Sequence, residues 1–261
     1  MTKLSAAPAK RAFTAEQFNR AYDEVIIGNH FFEEPRYYHR ARLRYRRSVE
    51  YLVSLQLPHP AHILEIGGGQ IGLLMSRLFD DQCTLGDVSD KYSDAVTRFG
   101  MDFVNCDLMH DDLPATSQYD CVVLCEVMEH FPIPPHIILA KIRKWIRPGG
   151  YLFLTTPNLY RLRNVVRLTF GMPVFDHFFY PERGSSLGHP FEYSPEHLKW
   201  QIETAGYQIQ FLERAQLSNV GSSIQAKIGR TLLSPLLTLV PRWRDNLVCA
   251  ACYSDPSCPD A

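Results

Sequence analysis

Two glutamates and a histidine lie within five residues in the stretch CEVMEHF, which runs from Cys125 to Phe131. The stretch follows the apolar run YDCVVL, which has the composition of a buried strand. If the chain turns into a helix after this strand, offsets of three and four place Glu126, Glu129 and His130 on one face, within an arc of about 100°. Such a face would gather two carboxylates and an imidazole into one site.

A glycine-rich loop follows an earlier apolar run, in ILEIGGGQIG. Gly67, Gly69 and Gly72 come directly after a predicted strand and before a predicted helix, where a backbone can approach a nucleotide-like ligand closely. Asp87 ends the next predicted strand, about 20 residues on, and its carboxylate suits ribose hydroxyls. Taken alone, this pattern does not distinguish a dinucleotide from another nucleotide-like cofactor.

Three further features favour S-adenosylmethionine. Glu65 stands two residues before the first glycine, where a carboxylate can help to hold the cationic amino-acid end of the cofactor. Asp107 follows the third predicted strand and can accept a hydrogen bond from the adenine amine. The last two predicted strands have a helical stretch between them, which suits a methyltransferase sheet better than a dehydrogenase sheet.

The elements that must position these residues alternate along the chain. A helical pattern runs from about Ala15 to Leu55, and strand-like and helical runs then alternate from HILEI to YLFLTT. This alternation predicts successive βα units and an α/β sheet with helices on both faces. The chain of 261 residues with 46% apolar residues is long enough for one large domain.

The amino-acid composition indicates which classes of protein this chain can belong to. The net charge of −1 argues against a dedicated surface for duplex nucleic acid, and the basic run from Arg36 to Arg47 is interpreted as a solvated helix face. No apolar run approaches the roughly 20 residues that span a bilayer, and no signal peptide is evident, so we expect a cytoplasmic protein. The seven scattered cysteines indicate reduced thiols, and Cys249 and Cys252 are expected in a strand rather than at zinc.

Five motifs occur in an order that resembles the class I S-adenosylmethionine-dependent methyltransferases: ILEIGGGQIG, GDVS, CDLMHDDLP, YDCVVLCEVMEHF and RPGGYLFLTTPN. The resemblance covers about residues 60 to 160. It implies a Rossmann-like, doubly wound, seven-stranded sheet whose last strand is antiparallel, with the cofactor over the carboxyl ends of the first strands. The cofactor positions that it implies are Glu65, Gly67, Gly69, Asp87 and Asp107.

The pattern along the chain, together with this resemblance, predicts the domain boundaries. We expect a disordered tail over residues 1–13 and an N-terminal helical cap over 14–58. The methyltransferase domain is expected over 59–254, with an insertion at about 159–193 that helps to form the acceptor pocket, and a second disordered tail over 255–261.

The pattern E-x-x-E-H resembles two metal-using branches of this family, the small-RNA 3′-end 2′-O-methyltransferases and the ubiquinone-pathway O-methyltransferases. In the RNA branch a later histidine completes the metal shell, and His189 lies at a matching distance here. The resemblance thus implies Mg²⁺ or another divalent ion on Glu126, Glu129, His130 and His189, and catalytic roles for His130, Glu126 and His189. Alternatively, Glu126 only contacts the cofactor or substrate region and Glu129 caps a helix; His177 is another candidate ligand or base.

The acceptor is predicted from the aromatic residues of the insertion and the N-terminal helices, which suggest a flat or apolar molecule. A hydroxyl of a small molecule, such as a natural product, sugar or phenol, is the first interpretation. The RNA 3′ end is the second, and a non-catalytic cofactor-binding partner protein is the third. The stretch IGRTLLSPLLTLVPRWR predicts either contact with a membrane surface or a helix packed on the sheet. Oligomeric state is not indicated.

Overall fold

A computed structural model of the chain describes residues 11–29, 31, 35–110, 118–175, 191–217 and 235–253. In these residues seven strands form one sheet in the order β3-β2-β1-β4-β5-β7-β6. The strands are β1 His62–Ile66, β2 Gln82–Asp87, β3 Asp102–Asn105, β4 Tyr119–Cys125, β5 Ile146–Pro157, β6 Gln208–Ala215 and β7 Asn246–Cys252. Strands β1 to β5 are parallel, and β7 is antiparallel to both of its neighbours, which confirms the predicted fold class.

Helices surround the sheet. The α-helices with assigned bounds are α1 Ala15–Tyr22, α2 Pro35–Ser54, α3 Gln70–Phe79, α4 Ser93–Thr97, α5 Pro135–Ile142, α6 Leu162–Thr169 and α7 Pro195–Thr204. A π-helical turn at Asp23–Ile27 continues α1, and short 3₁₀ turns lie at Asp90–Tyr92, Met128–His130, Arg143–Trp145 and Pro241–Trp243. Residues 235–239 are also helical. Among the described residues, no helix has both the length and the apolar composition needed to cross a membrane.

The hydrophobic core has one layer on each face of the sheet, and the side chains of β4 contribute to both layers. The side chains of Cys121 and Val123 pack in one layer with α1, α2 and α3, whereas those of Val122 and Leu124 pack in the other with α5 and α7. Successive residues of a strand point to opposite faces, so a strand buried on both sides must be apolar throughout. This requirement explains the apolar run CVVLC, Cys121 to Cys125.

The N-terminal helical region is not one helix. Thr14 caps α1 through a capping box with Gln17, and the helix passes into the π-helical turn and reaches Gly28. The next helix begins at Pro35, whose missing N–H is tolerated in a first turn but not in a helix interior. The pattern from Ala15 to Leu55 therefore predicts the helical content correctly but misses this break.

The predicted N-terminal tail is wrong at its end. Arg11 is 9% exposed, and its guanidinium donates to both carboxylate oxygens of Asp81, at 2.6 and 2.8 Å. Phe13 packs edge-on against Phe79, with ring centroids 6.2 Å apart. These contacts join residues about 70 positions apart, so a local pattern did not reveal them. The rest of that tail and the predicted C-terminal tail lie outside the described residues.

Removing the carboxylate of Asp81 is expected to destabilise the fold. In Asp81→Ala the Arg11 guanidinium and the Ala61 N–H, which donates to Asp81 at 2.8 Å, both lose a buried acceptor. We expect a loss of about 2 kcal/mol in the free energy of unfolding, measured by urea titration. Glu16→Ala, which removes an exposed ion pair with Arg20, is the matched control and is expected to cost under about 0.5 kcal/mol. Equal stabilities of the two variants would contradict this role of Arg11.

Candidate active site

A cavity of about 430 Å³ opens at the carboxyl ends of the parallel strands, beneath α2. Parallel strands end at one edge of a sheet, which is where open α/β folds bind their ligands. Most of the predicted site residues that the structure describes lie in its wall: Glu65, Gly67, Asp87, Asp107, Glu126 and His130. Gly69 and Glu129 do not line it, and His177 and His189 lie outside the described residues.

The glycine loop makes the turn from β1 into α3. Gly67, Gly68 and Gly69 all have left-handed backbones, with φ of 79°, 88° and 84°. A side chain is strained in this region, so three consecutive glycines are needed for the turn. A Cβ on Gly69 would come within 2.7 Å of the Val96 side chain. Gly69 therefore serves helix packing, whereas Gly67 and Gly68 face the cavity.

Glu65 stabilises this loop from below. It is 1% exposed, and its carboxyl oxygens accept from the backbone N–H groups of Gly72 at 2.6 Å and Ile71 at 3.3 Å. Burial raises the pKa of Glu65 to about 8, although these backbone donors oppose the shift. The side chain thus fixes the first turn of α3 at the wall of the cavity.

The raised pKa of Glu65 predicts a pH-dependent stability. The unfolded chain releases this proton near pH 4.5 and the folded chain near pH 8, so its stabilising contribution is complete below pH 4.5 and is lost as pH rises toward 8. Glu65→Gln mimics the protonated acid and does not titrate. We expect the free energy of unfolding of Glu65→Gln, relative to the parent, to rise by about 3 kcal/mol between pH 5 and pH 7.5 in urea titrations. Parallel pH profiles would refute this assignment.

Asp87 and Asp107 mark the ends of β2 and β3. Asp87 accepts from the backbone N–H groups of Ser89 at 2.9 Å and Gly68 at 3.3 Å, which ties the end of β2 to the glycine loop. Asp107 accepts from the Met109 N–H at 2.9 Å and contacts His110 Nδ1 at 2.8 Å. Both carboxylates are therefore held by short local contacts at the cavity wall.

The predicted helix after β4 is absent, so the three side chains do not share a helical face. Strand β4 continues to Cys125, paired with Thr155, and Glu126 then adopts a left-handed backbone with φ of 58°. A 3₁₀ turn over Met128–His130 follows. The pairing with β5 extends the strand, and the left-handed residue then turns the chain sharply. A non-glycine residue in this region is strained, and such strain is concentrated at functional sites.

The two glutamates have different surroundings. Glu126 accepts from Thr155 Oγ1 at 2.8 Å and from Asn246 Nδ2 at 3.1 and 3.3 Å. Glu129 is fully buried; its Oε2 accepts from Thr156 Oγ1 at 3.0 Å, and its Oε1 has no hydrogen-bond partner among the described residues. Burial, and then the neighbouring Glu126, raise the pKa of Glu129 well above its ordinary value.

The predicted metal set stays a prediction. In the part of the chain that the structure describes, no three His, Cys, Asp or Glu side chains are grouped so that they could hold a metal ion. Three of the four predicted ligands, Glu126, Glu129 and His130, are in this part, and by themselves they do not fit a divalent ion. The fourth, His189, lies outside it.

Helix α2 forms the roof of the cavity. From the sequence we expect the N-terminal helices to contribute to the acceptor pocket, but the sequence pattern does not single out the residues of α2 that line the cavity. Tyr37, Arg44, Tyr45 and Ser48 all line the cavity from this helix. Burial disfavours the charge of Arg44, but neighbouring Tyr45, Tyr37 and Glu126 outweigh it and raise the pKa of the guanidinium. A fixed positive charge therefore faces the cavity. Arg44 follows Tyr37 by seven residues, and Ser48 follows Arg44 by four. This spacing places the three side chains on one face of a helix, and it was the signal from which their shared position could have been predicted.

Most of the basic run in α2 is engaged within the chain. Arg42 pairs with Asp23, Arg46 pairs with Glu50 at 2.9 Å, and Arg47 donates to the backbone of the segment after β6. With Arg44 in the cavity wall, four of the six arginines between Arg36 and Arg47 make internal contacts. The predicted solvated face is thus only partly correct.

A family model described as "Methyltransferase domain" matches residues 37–211, which is two thirds of the chain. The chain belongs to the class I S-adenosylmethionine-dependent methyltransferases. The methyltransferase is therefore an enzyme that uses S-adenosylmethionine, and a non-catalytic partner protein is the wrong alternative.

Solved structures share the fold of this methyltransferase. An S-adenosylmethionine-dependent methyltransferase from Archaeoglobus fulgidus has 16% identity and a TM-score of 0.55, over 81% of this chain and 94% of that chain. A phosphoethanolamine N-methyltransferase 2 from Haemonchus contortus, in complex with S-adenosylmethionine, has 14% identity and a TM-score of 0.56, over 90% of this chain and 56% of that chain. These identities establish the fold alone.

Two further relatives have named acceptors or pathways. The 1,6-didemethyltoxoflavin-N1-methyltransferase from Burkholderia thailandensis has 16% identity and a TM-score of 0.53, over 95% of this chain and 94% of that chain. Its structure holds 1,6-didemethyltoxoflavin and S-adenosylhomocysteine. A mitochondrial ubiquinone biosynthesis O-methyltransferase from Candida albicans is 38% identical over 48 residues, which is 18% of this chain and 14% of that protein. This match thus spans about one seventh of the curated relative.

Proposed function

We propose that this methyltransferase transfers a methyl group to a hydroxyl oxygen of a small molecule, such as a natural product, sugar or phenol. The observation that carries the proposal is that His130 and Glu126 line the same cavity as Asp87 and Asp107. The proposed base and the predicted cofactor residues thus face one cavity. The short match to an O-methyltransferase of ubiquinone biosynthesis supports the same chemistry.

The residues at the cavity fit S-adenosylmethionine. The glycine loop offers a backbone without Cβ atoms, and Asp87 and Asp107 offer carboxylate oxygens for the ribose hydroxyls and the adenine amine. Arg44 offers a cation for the carboxylate of the methionine end. When bound, the cofactor supplies an electrophilic methyl group on a sulfonium.

In the proposed mechanism His130 takes the proton of the acceptor hydroxyl, whose oxygen would bond to the methyl carbon. The bond from that carbon to the sulfonium sulfur would break, the sulfur would keep the electron pair, and S-adenosylhomocysteine would leave as a neutral thioether. The carboxylate of Glu126 is held by Thr155 and Asn246, so it can orient an acceptor hydroxyl without itself moving. No step of the proposed mechanism passes through the divalent ion predicted on Glu126, Glu129, His130 and His189, because a metal-bound His130 could not take the proton.

The shape and lining of the cavity favour a small acceptor over the end of an RNA chain. Tyr37, Tyr38, Tyr45 and Phe131 contribute aromatic surface to a volume of about 430 Å³. An RNA strand needs a row of cations for its phosphates, and most arginines of the α2 run contact the chain itself. The predicted cytoplasmic location rests on the sequence alone.

The test is to identify the atom that receives the methyl group. The full chain is incubated with ¹³C-methyl S-adenosylmethionine and a panel of phenols, catechols and sugars, and the products are examined by ¹H–¹³C NMR. We expect O-methyl signals, and a loss of product on adding chelator that is reversed by Mg²⁺, Mn²⁺, Co²⁺ or Zn²⁺ if the predicted metal set is used. N-methyl or C-methyl products, or methylation of a short RNA 3′ end alone, would overturn the proposal.

A further inference from the structure

A cluster of apolar side chains is exposed on and beside α6. The exposed fractions are 62% for Leu168, 73% for Phe170 and 79% for Leu239. Leucine and phenylalanine side chains are normally buried. Val166, Met172 and Phe175 are also exposed. We call these six residues, together with the arginines named below, the α6 surface. Exposed apolar residues that occur together on a protein surface indicate a site of contact.

The α6 surface comes from two parts of the chain that are tied together at Asn158. Asn158, at the end of β5, is fully buried, and its amide donates to the backbone oxygens of Arg242 and Arg244 at 3.0 and 2.8 Å. The chain leaves Asn158 directly into α6, whereas the helical turn that carries Leu239 ends just before Arg242. One side chain therefore joins the two exposed segments.

The charge of these segments is of one sign. Residues 159–175 contain Arg161, Arg163 and Arg167 and no Asp or Glu, and residues 235–244 contain Arg242 and Arg244 and no Asp or Glu. The whole chain has a net charge of −1, so this concentration of five arginines is a local feature. Arg161 is held by an ion pair with buried Glu192, and the guanidinium of Arg163 lies 4.0 Å from the same carboxylate. The side chain of Arg163 is nevertheless 52% exposed, and Arg242 is exposed.

We propose that the α6 surface binds the surface of an anionic lipid bilayer. Leucine and phenylalanine side chains would enter the boundary between headgroups and acyl chains, and the arginines would contact the lipid phosphates. An amphipathic helix that carries both apolar and cationic side chains is typical of proteins that lie on a membrane without crossing it.

Charge complementarity favours a bilayer over a second copy of the chain. A symmetric dimer through the α6 surface would place the same arginines of both copies in one interface, and like charges there repel. Anionic headgroups offer the opposite charge, and an acyl boundary covers the apolar side chains. An RNA would use the arginines but would leave Leu168 and Phe170 in water.

The position of the α6 surface determines which edge of the domain would face the bilayer. Helix α6 follows the carboxyl end of β5, and this edge of the sheet also holds the cavity. Binding through the α6 surface would therefore bring the cavity edge of the domain to the bilayer. This proposal does not rest on the identity of the acceptor or on O-methylation.

The test is cosedimentation of the full chain with vesicles of phosphatidylcholine alone or mixed with phosphatidylglycerol. We expect binding to the mixed vesicles that weakens as salt is added, and little binding to phosphatidylcholine alone. The double variant Leu168→Ser with Phe170→Ser should lose about tenfold or more in partitioning. Arg163→Gln and Arg242→Gln should each lose about fivefold.

The matched control is Ile137→Ser with Trp200→Ser, which removes two side chains that are each 52% exposed on α5 and α7, away from α6. This control should bind as the parent does. Thermal melting, monitored by circular dichroism, should show that all variants fold. Three results would overturn the proposal. These are an absence of binding to mixed vesicles, equal losses in the control and the α6 variants, and self-association of the parent, seen by sedimentation equilibrium, that the α6 double variant abolishes.

Discussion

Replacing Asp87 by alanine is expected to weaken S-adenosylmethionine binding by about 100-fold, because two hydrogen bonds to a charged acceptor are worth roughly 3 kcal/mol or more together. Asp87 is 9% exposed and lies at the cavity wall, so its carboxylate is pre-positioned with little side-chain freedom left to lose. The dissociation constant is measured by calorimetry with the purified chain. The effect does not depend on knowing the acceptor.

The controls separate lost ligand contacts from a damaged loop. Asp87 also accepts from the N–H groups of Gly68 and Ser89, so alanine loosens both. Asp87→Asn keeps the shape and one acceptor oxygen, and we expect an intermediate loss of about tenfold. Asp102→Asn, at the exposed amino end of β3, should bind as the parent does. Parent-like affinity in Asp87→Ala would remove Asp87 from the cofactor site.

Replacing His130 by alanine is expected to lower the rate of methyl transfer by about 100-fold to 10,000-fold, the range found for general bases. His130 lines the cavity from the 3₁₀ turn after β4 but is not part of the glycine loop or of β2. Its loss should therefore change the dissociation constant of S-adenosylmethionine by less than about threefold. Single-turnover kinetics with the acceptor found by NMR measure the first quantity, and calorimetry measures the second.

A second histidine supplies the control for this experiment. His136 lies on α5 outside the cavity wall, and its Nδ1 contacts Gln201 Oε1 at 2.9 Å. His136→Ala should leave the rate of methyl transfer within about threefold of the parent. A parent-like rate in His130→Ala would assign the base to another residue, and a matching loss of cofactor affinity would show that His130 shapes the cofactor site.

The sheet could be predicted because its strands are buried on both faces, which leaves a strong local signal. YDCVVLC is apolar at every position but one, and three consecutive glycines after HILEI are unfavourable inside a helix or strand but suit a tight turn. These features depend on residues close together in the sequence. The order of five motifs then located Glu65, Asp87 and Asp107 at one edge.

The parts that could not be predicted depend on contacts between distant residues. Arg11 meets Asp81, Arg44 meets the cavity because α2 lies across the strand ends, and Asn246 reaches Glu126 across 120 residues. The left-handed backbone at Glu126 also follows from such contacts, because the pairing of β4 with β5 overrides the local preference for a helix. The periodicity of apolar residues predicts only the face of a helix or strand on which a side chain lies, and not the distant residue that it contacts.

The position of β7 sets a limit on when the active site can form during synthesis. This strand is the last of the seven to leave the ribosome, yet it lies between β5 and β6 and pairs with both along its length. Until it emerges, β5 and β6 are left with unpaired edges, and Glu126 lacks the amide of Asn246 that holds its carboxylate. A nascent chain stalled before Asn246 therefore has the glycine loop but lacks both the strand that joins β5 to β6 and the amide that holds the Glu126 carboxylate, and its unpaired strand edges are open to pairing with another chain.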